Sequence, residues 1–277
     1  MSDANMLTLA LETYQRLFPE MKHKLFDDPT AIIQPRQAEP SPTLQEIIEA
    51  VRPVPPQTCV VGICEDHVPF LLDMSQPETG ALLVTGDPAA GKTAHLRILV
   101  ESVMALNSPH EVKIGVLSNQ PDQWRDLAED SQYMRYFTGV HAWYEPGAAE
   151  LITRLVGLGE DRATGRHLGA TMLLIVDDLQ NAFKADFEVQ NGLHWLLEYG
   201  VFSQIRPVAS LDAGLCPGNE FWIDAFRTFL IGKISDDSLA EALGLSGLFS
   251  TRDLIPNHEF RAFTGKAWTK YCLPQVG

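Results

Sequence analysis

The sequence predicts an α/β fold, a mostly parallel central sheet covered by helices on both faces, preceded by a short N-terminal helical and linker appendage. Three observations carry this. From residue 81 onward, short apolar runs of strand length alternate with longer helical stretches. One run, residues 81–85, leads directly into a glycine-containing loop and a helix. Another, residues 172–176, is apolar without alternation, the pattern of a strand buried on both faces. A chain of 277 residues, 45% hydrophobic and 21% charged, suits one large domain with an appendage.

Residues 4–18 place Met6, Leu7, Leu9, Leu11, Tyr14 and Leu17 at helical spacings, which predicts a helix. Residues 28–42 (DPTAIIQPRQAEPSP) hold four prolines, which block a continuing helix and mark a linker, so we divide the chain into an appendage over 1–42 and a domain over 43–277. Thr43 then stands as an N-cap with Glu46 three residues on, a capping box opening a helix to about residue 51. Residues 59–64 and 68–72 flank the polar turn Glu65-Asp66-His67 and predict a hairpin. Strands are expected at 81–85, 112–117, 139–144, 171–176, 206–210 and 228–234, with helical stretches between them. FRAF and KAWTKY around Thr264-Gly265 predict a closing hairpin.

The chemistry concentrates after the first of these central strands. Residues 86–93 read G-x-x-x-x-G-K-T between an apolar strand and the helical stretch AHLRILVESVMAL, the arrangement of a RecA-like P-loop NTPase. Glycines at 86 and 91 let backbone N–H groups wrap phosphates, and the helix N-terminus adds positive potential. Gly86, Asp87, Pro88, Ala89, Ala90, Gly91, Lys92, Thr93 and Ala94 are therefore expected to bind the nucleotide, with Lys92 on its outer phosphates. ATP is the expected nucleotide, because the guanine-reading N-K-x-D pattern does not occur. Thr93 and Asp177 are expected to hold Mg2+. Asp177 and Asp178 end the apolar run as paired carboxylates, the form of a Walker B segment. Asp178 then either orients the attacking water or caps the following segment. On the next strand Ser210 is the candidate to sense the terminal phosphate, with Asp212 close by, or else its hydroxyl satisfies local backbone. Arg227 is the leading candidate for an arginine finger donated to a neighbouring subunit, ahead of Arg252 and Arg261.

Composition narrows the function classes. The formal charge of -15 opposes general adsorption to nucleic acid, though a local basic patch or loop is compatible with it. Cysteines 59, 64, 216 and 272 are too few and too scattered for a disulfide scaffold or zinc site, and are expected to be reduced. No apolar run approaches the roughly 20 residues of a membrane span, and residues 1–18 lack a basic, uninterrupted signal pattern, so the expected location is cytoplasmic.

From about residue 55 to 245 the order of elements resembles the FtsK/SpoIIIE/HerA motor ATPases, closest in flavour to the EccC-like ATPase domains of type VII secretion. The segments carrying the resemblance are VVGICEDHVPFLLDM, HLRILVESVMALNSPHEVKIGVLS, LLIVDDLQ, RPVASLD and FRTFLIGKISDDSLAEALGL. It implies an ATP-hydrolysing oligomer, a ring or a subunit of a larger machine, acting on a polymer, DNA or polypeptide. EccC-like domains also carry a second Asp at the position of Asp178. FtsK-type motors show T-Q-R-P where this chain has Ser210-Leu-Asp-Ala213, and D-S-R where it has Asp237-Ser-Leu239, departures that weigh against DNA translocation. LLIVDDLQ also resembles the DnaA type of AAA+ initiator, which usually carries a helical lid after its sensor strand. A slow or inactive ATP-dependent switch or scaffold is the third reading.

Overall fold

The computed structural model describes residues 41–166, 169–243, 250–264 and 267–275. The expected N-terminal helix, and the linker up to residue 40, lie outside the described residues. The strands are β1 (Thr58–Cys64), β2 (Pro69–Asp73), β3 (Ala81–Gly86), β4 (Val112–Ser118), β5 (Phe137–Ala142), β6 (Thr171–Asp177), β7 (Ile205–Asp212), β8 (Phe226–Ile231), β9 (Glu259–Phe263) and β10 (Trp268–Cys272). The helices are α1 (Leu44–Val51), α2 (Lys92–Leu106), α3 (Asp122–Glu129), α4 (Pro146–Ala163), α5 (Phe187–Tyr199) and the short α6 (Glu220–Ile223) and α7 (Asp237–Ala242).

All ten strands join one sheet in the order β2-β1-β10-β9-β8-β3-β7-β6-β4-β5. From β8 to β5 every pairing is parallel. The β1/β2 and β9/β10 hairpins extend the sheet beyond β8 as an antiparallel wing. Both hairpins and all six central strands fall where the sequence placed them, with ends shifted by one to three residues. Strand β5 stops at Ala142, because the Ala142 N–H donates to Glu145 Oε2 at 2.9 Å and the chain turns into α4. Strand β8 stops at Ile231, because the next residues leave the ladder to bind the phosphate loop.

Burial on both faces explains the near-continuous apolar strands. Leu82 and Val84 of β3, with Leu173 and Ile175 of β6, pack beneath Leu96, Leu99 and Val103 of α2. Their neighbours Leu83, Leu174 and Val176 point the other way, onto Leu151 and Leu155 of α4 and Leu193 and Leu196 of α5. Each fully buried aliphatic side chain contributes about 1.5–3 kcal/mol. At α1 the capping box is present: Glu46 N–H donates to Thr43 Oγ1 at 3.3 Å, and Thr43 N–H to Glu46 Oε2 at 2.8 Å. Leu44, Ile47 and Ile48 then bury against Val60 and Ile63 of β1.

Strand order sets the site. β7 lies between β3 and β6, so the ends of those two strands stand about 10 Å apart at ordinary strand spacing. Register brings Gly86 opposite Asp212, and Ser118 opposite Asp177, at the carboxyl edge of the sheet. That edge is where parallel α/β sheets place their ligands.

Candidate nucleotide site

Gly86 ends β3, and Asp87 N–H donates to Lys233 O at 2.8 Å, tying the loop to the segment that follows β8. The Asp87 carboxylate accepts from Ser235 N–H at 2.9 Å, and Ala90 O accepts from Asn257 N–H at 3.0 Å. Gly91 is needed for two reasons: its φ is +99°, and a Cβ there would lie 2.7 Å from Asn257 Cα. Thr93, in the first turn of α2, donates to Asp177 Oδ1 at 3.1 Å. Lys92 is buried, with its Nζ 2.6 Å from Asp212 Oδ1 and 2.8 Å from Asp87 O.

Asp177 is a hub. Besides Thr93, Ser210 donates to its Oδ1 at 2.9 Å, and the fully buried Trp124 indole donates to its Oδ2 at 3.3 Å. The Ser210 hydroxyl also accepts from Asp178 N–H at 2.9 Å, so a single oxygen ties both carboxylate residues to β7. Asp178 has a left-handed backbone, φ +75°, and its side chain makes no capping hydrogen bond to the 3-10 helix Leu179–Lys184 that follows. Burial, then the nearby Asp177 charge, pushes its carboxyl above the usual carboxylate range. Thr93, Asp177, Asp178 and Ser210 line a cavity of about 400 Å³ together with Asn119, Gln120, Gln123 and Asn257.

Pro88, Ala89, Gly91, Lys92, Thr93, Ala94, Asp177, Asp178 and Ser210 thus converge on the cavity, whereas Gly86, Asp87 and Ala90 of the loop do not line it. Arg227 does not. It sits at the start of β8, opposite the phosphate-loop end of a strand parallel to β3, with its stem against Gly80. Six residues of strand put it on the order of 17 Å from its own loop. Arg252 is exposed and paired with Asp237 at 3.4 Å, and Arg261 is on β9. Sequence reading missed Trp124, Asn257, Gln120 and Gln123. The Pro-Asn dipeptide at 256–257 marks a turn, but nothing local says that the turn lies against the phosphate loop.

The donor set fits a magnesium nucleotide. A glycine cradle, one ammonium, a hydroxyl and a carboxylate in hydrogen-bond contact stand at a helix N-terminus, and the left-handed Gly91 leaves the close approach open.

Fold and site together define a RecA-like P-loop NTPase fold. No family model matches the chain. Among solved structures it is similar to EccC (ATPases 2 and 3) of Thermomonospora curvata in complex with a signal sequence peptide. That match has a TM-score of 0.66 at 17% identity and covers 87% of this chain and 44% of that one. EssC (ATPases 2 and 3) of Geobacillus thermodenitrificans matches with TM-score 0.68 at 12% identity, over 88% of this chain and 49% of that one. The pCW3 conjugation coupling protein TcpA, in a monomer form with ATPγS, matches with TM-score 0.64 at 13% identity, over 87% and 71%. These are FtsK/SpoIIIE-type P-loop ATPase domains, the group the sequence resembles, and the likeness is one of fold. The chain spans less than half the length of the EccC and EssC structures. Among curated proteins, magnesium-chelatase subunit ChlI from a Nostoc species is 28% identical over 129 residues, 45% of this chain and 32% of that protein. Among the described residues, no helix is long and apolar enough to cross a membrane.

Proposed function

We propose that this chain binds ATP with Mg2+ and hydrolyses it as a motor-type ATPase, working as an oligomer or as a subunit of a larger machine. The observation that carries the reading is the Thr93–Asp177–Ser210–Asp178 hydrogen-bond chain beside the phosphate loop. When bound, ATP with Mg2+ supplies the phosphoanhydride and the cation that neutralises its charge. Lys92 and the loop N–H groups hold the phosphates. Thr93 and Asp177 present the metal-side oxygens, and Ser210, Trp124 and Thr93 keep Asp177 in place. Asp178, held by Ser210 and raised in pKa, orients the attacking water and accepts its proton. Arg227, remote from its own loop, acts only across a subunit boundary, on the site of a neighbour.

The polymer is a polypeptide rather than DNA in this reading. The charge of -15 and the sequence Ser210-Leu-Asp-Ala213 in place of T-Q-R-P disfavour a DNA pump, and a structure sharing this fold was solved with a signal sequence peptide. A slow ATP-dependent switch is the second reading, favoured by Asp178 itself, one methylene shorter than the glutamate many such ATPases carry. The 28% identity with ChlI keeps an AAA+ mode of assembly as the alternative.

Steady-state ATP hydrolysis, with light scattering for mass, tests this in the presence and absence of ATP, DNA and polypeptide. Turnover with an ATP-dependent rise in mass supports the motor; tight binding without turnover leaves the switch. Lys92→Ala should abolish binding, and unchanged ATP affinity in that variant would sink the site assignment.

A further inference from the structure

Among the described residues, the cavity at the carboxyl edge is lined by three carboxylates, Asp177, Asp178 and Asp212, but by a single cationic side chain, Lys92. An ammonium has three protons to donate. All three have acceptors within the protein: Asp212 Oδ1 at 2.6 Å, Asp87 O at 2.8 Å and Gly86 O at 3.4 Å. Lys92 therefore reaches an outer phosphate only by releasing one of them. Two are neutral carbonyls of the loop itself, and the third is a full negative charge. Asp212 is the last residue of β7 and the register partner of Gly86, so its carboxylate stands at the mouth of the loop. Its side chain is 32% exposed against 9% for Lys92, so once displaced it can turn to water while the lysine cannot.

We propose that Asp212 is a built-in competitor for phosphate: it occupies Lys92 in the nucleotide-free protein and sets how strongly the site prefers a triphosphate to a diphosphate. The proposal deepens the nucleotide reading above and rests on it. A ligand that takes Lys92 must first break the ion pair and then tolerate a second negative charge beside its outer phosphate. The terminal phosphate of ATP offers Lys92 the most charge in exchange, and it also meets the repulsion most directly. Asp212 thus lowers affinity for both nucleotides, and for ATP more.

Two measurements on Asp212→Asn test this, with thermal unfolding to show that the variant is folded. The first is calorimetric titration with ATPγS and with ADP, each with Mg2+. The asparagine keeps shape and acceptor but not charge, and should tighten ATPγS by about tenfold, the effect of roughly one screened like charge, and ADP by less. The second needs no nucleotide: acylation of Lys92 by an amine-reactive ester, followed by mass spectrometry, should be faster in the variant, because a neutral amide holds Nζ in place less tightly than the carboxylate now 2.6 Å from it. Weaker or unchanged ATPγS binding in Asp212→Asn, with the wild type binding normally, overturns the competitor role. Unchanged Lys92 acylation overturns the ion pair itself. A wild type that binds neither nucleotide fails the underlying nucleotide reading, and Lys92 acylation then still decides the pair.

Discussion

Replacing Ser210 by alanine tests the link between the two carboxylates most directly. Ser210 is 1% exposed, and its one side-chain oxygen makes two bonds of 2.9 Å, donating to Asp177 Oδ1 and accepting from Asp178 N–H. A hydrogen bond to a charged group contributes about 1.5–3 kcal/mol, and a buried N–H left without an acceptor costs about 1–3 kcal/mol. Asp177 retains Thr93 and Trp124 as donors, and Asp178 is only half-buried, so water recovers part of the loss. The net cost expected is about 2–3 kcal/mol. For a domain of this size that is a fall in Tm of about 5–10 °C. Differential scanning calorimetry of wild type and variant without nucleotide measures it. Asp178 also loses the contact that anchors its left-handed backbone, so turnover should drop more than ATP affinity does. A Tm within about 1 °C of wild type, together with unchanged turnover, would refute the view that Ser210 holds the two carboxylates.

Three further outcomes are expected. Asp178→Asn should retain nucleotide affinity in equilibrium titration and lose turnover by about 100-fold or more, the usual weight of a general base. In the wild type, the acid limb of the rate profile should lie above the ordinary carboxylate range, since burial and Asp177 raise this group. Gly91→Ala forces a Cβ to within 2.7 Å of Asn257 Cα at φ +99°, so it should destabilise the domain by about 1–3 kcal/mol. Hydrogen exchange should quicken around residues 255–258. His95 is fully buried against Phe260 and Tyr271, and burial pushes its ring down to about 3 from an ordinary 6.5. The unfolded chain binds the proton first, so this contribution is fully present above pH 6.5 and is lost as pH falls toward 3. His95→Phe should flatten the stability profile in that window, and an unchanged slope in urea titrations at pH 4, 5 and 7 would remove His95 as its source.

The features legible in the sequence are those whose cause is local. The phosphate loop is contiguous, because its glycines, lysine and threonine must follow one another to wrap a phosphate group, so residues 86–93 announce their conformation without a fold around them. The capping box at Thr43 and Glu46, the apolar strand ending at Asp177, and the two hairpins are legible for the same reason: each is decided by neighbours a few positions away. Asp178 and Ser210 could be nominated from their places at strand ends, but not joined. Their bond requires β7 to run beside β6, a matter of strand order.

The tertiary structure alone decided the rest. Trp124 reaches Asp177 across 53 residues of sequence, and Asn257 meets the phosphate loop across 168, because α3 and the turn before β9 are carried there by the sheet. Nothing in the immediate sequence of either residue depends on that meeting. Arg227 shows the converse: it stands just ahead of a predicted strand, but parallel pairing of β8 with β3 puts it at the edge away from its own loop. The pairing of Lys92 with Asp212 belongs to the same class, since one ends a loop, the other ends a strand, and only the register of β3 on β7 sets their charges 2.6 Å apart. Sequence determined the segments and the chemistry each could carry. Strand order and register, set by burial on both faces of the sheet, determined which of those groups meet.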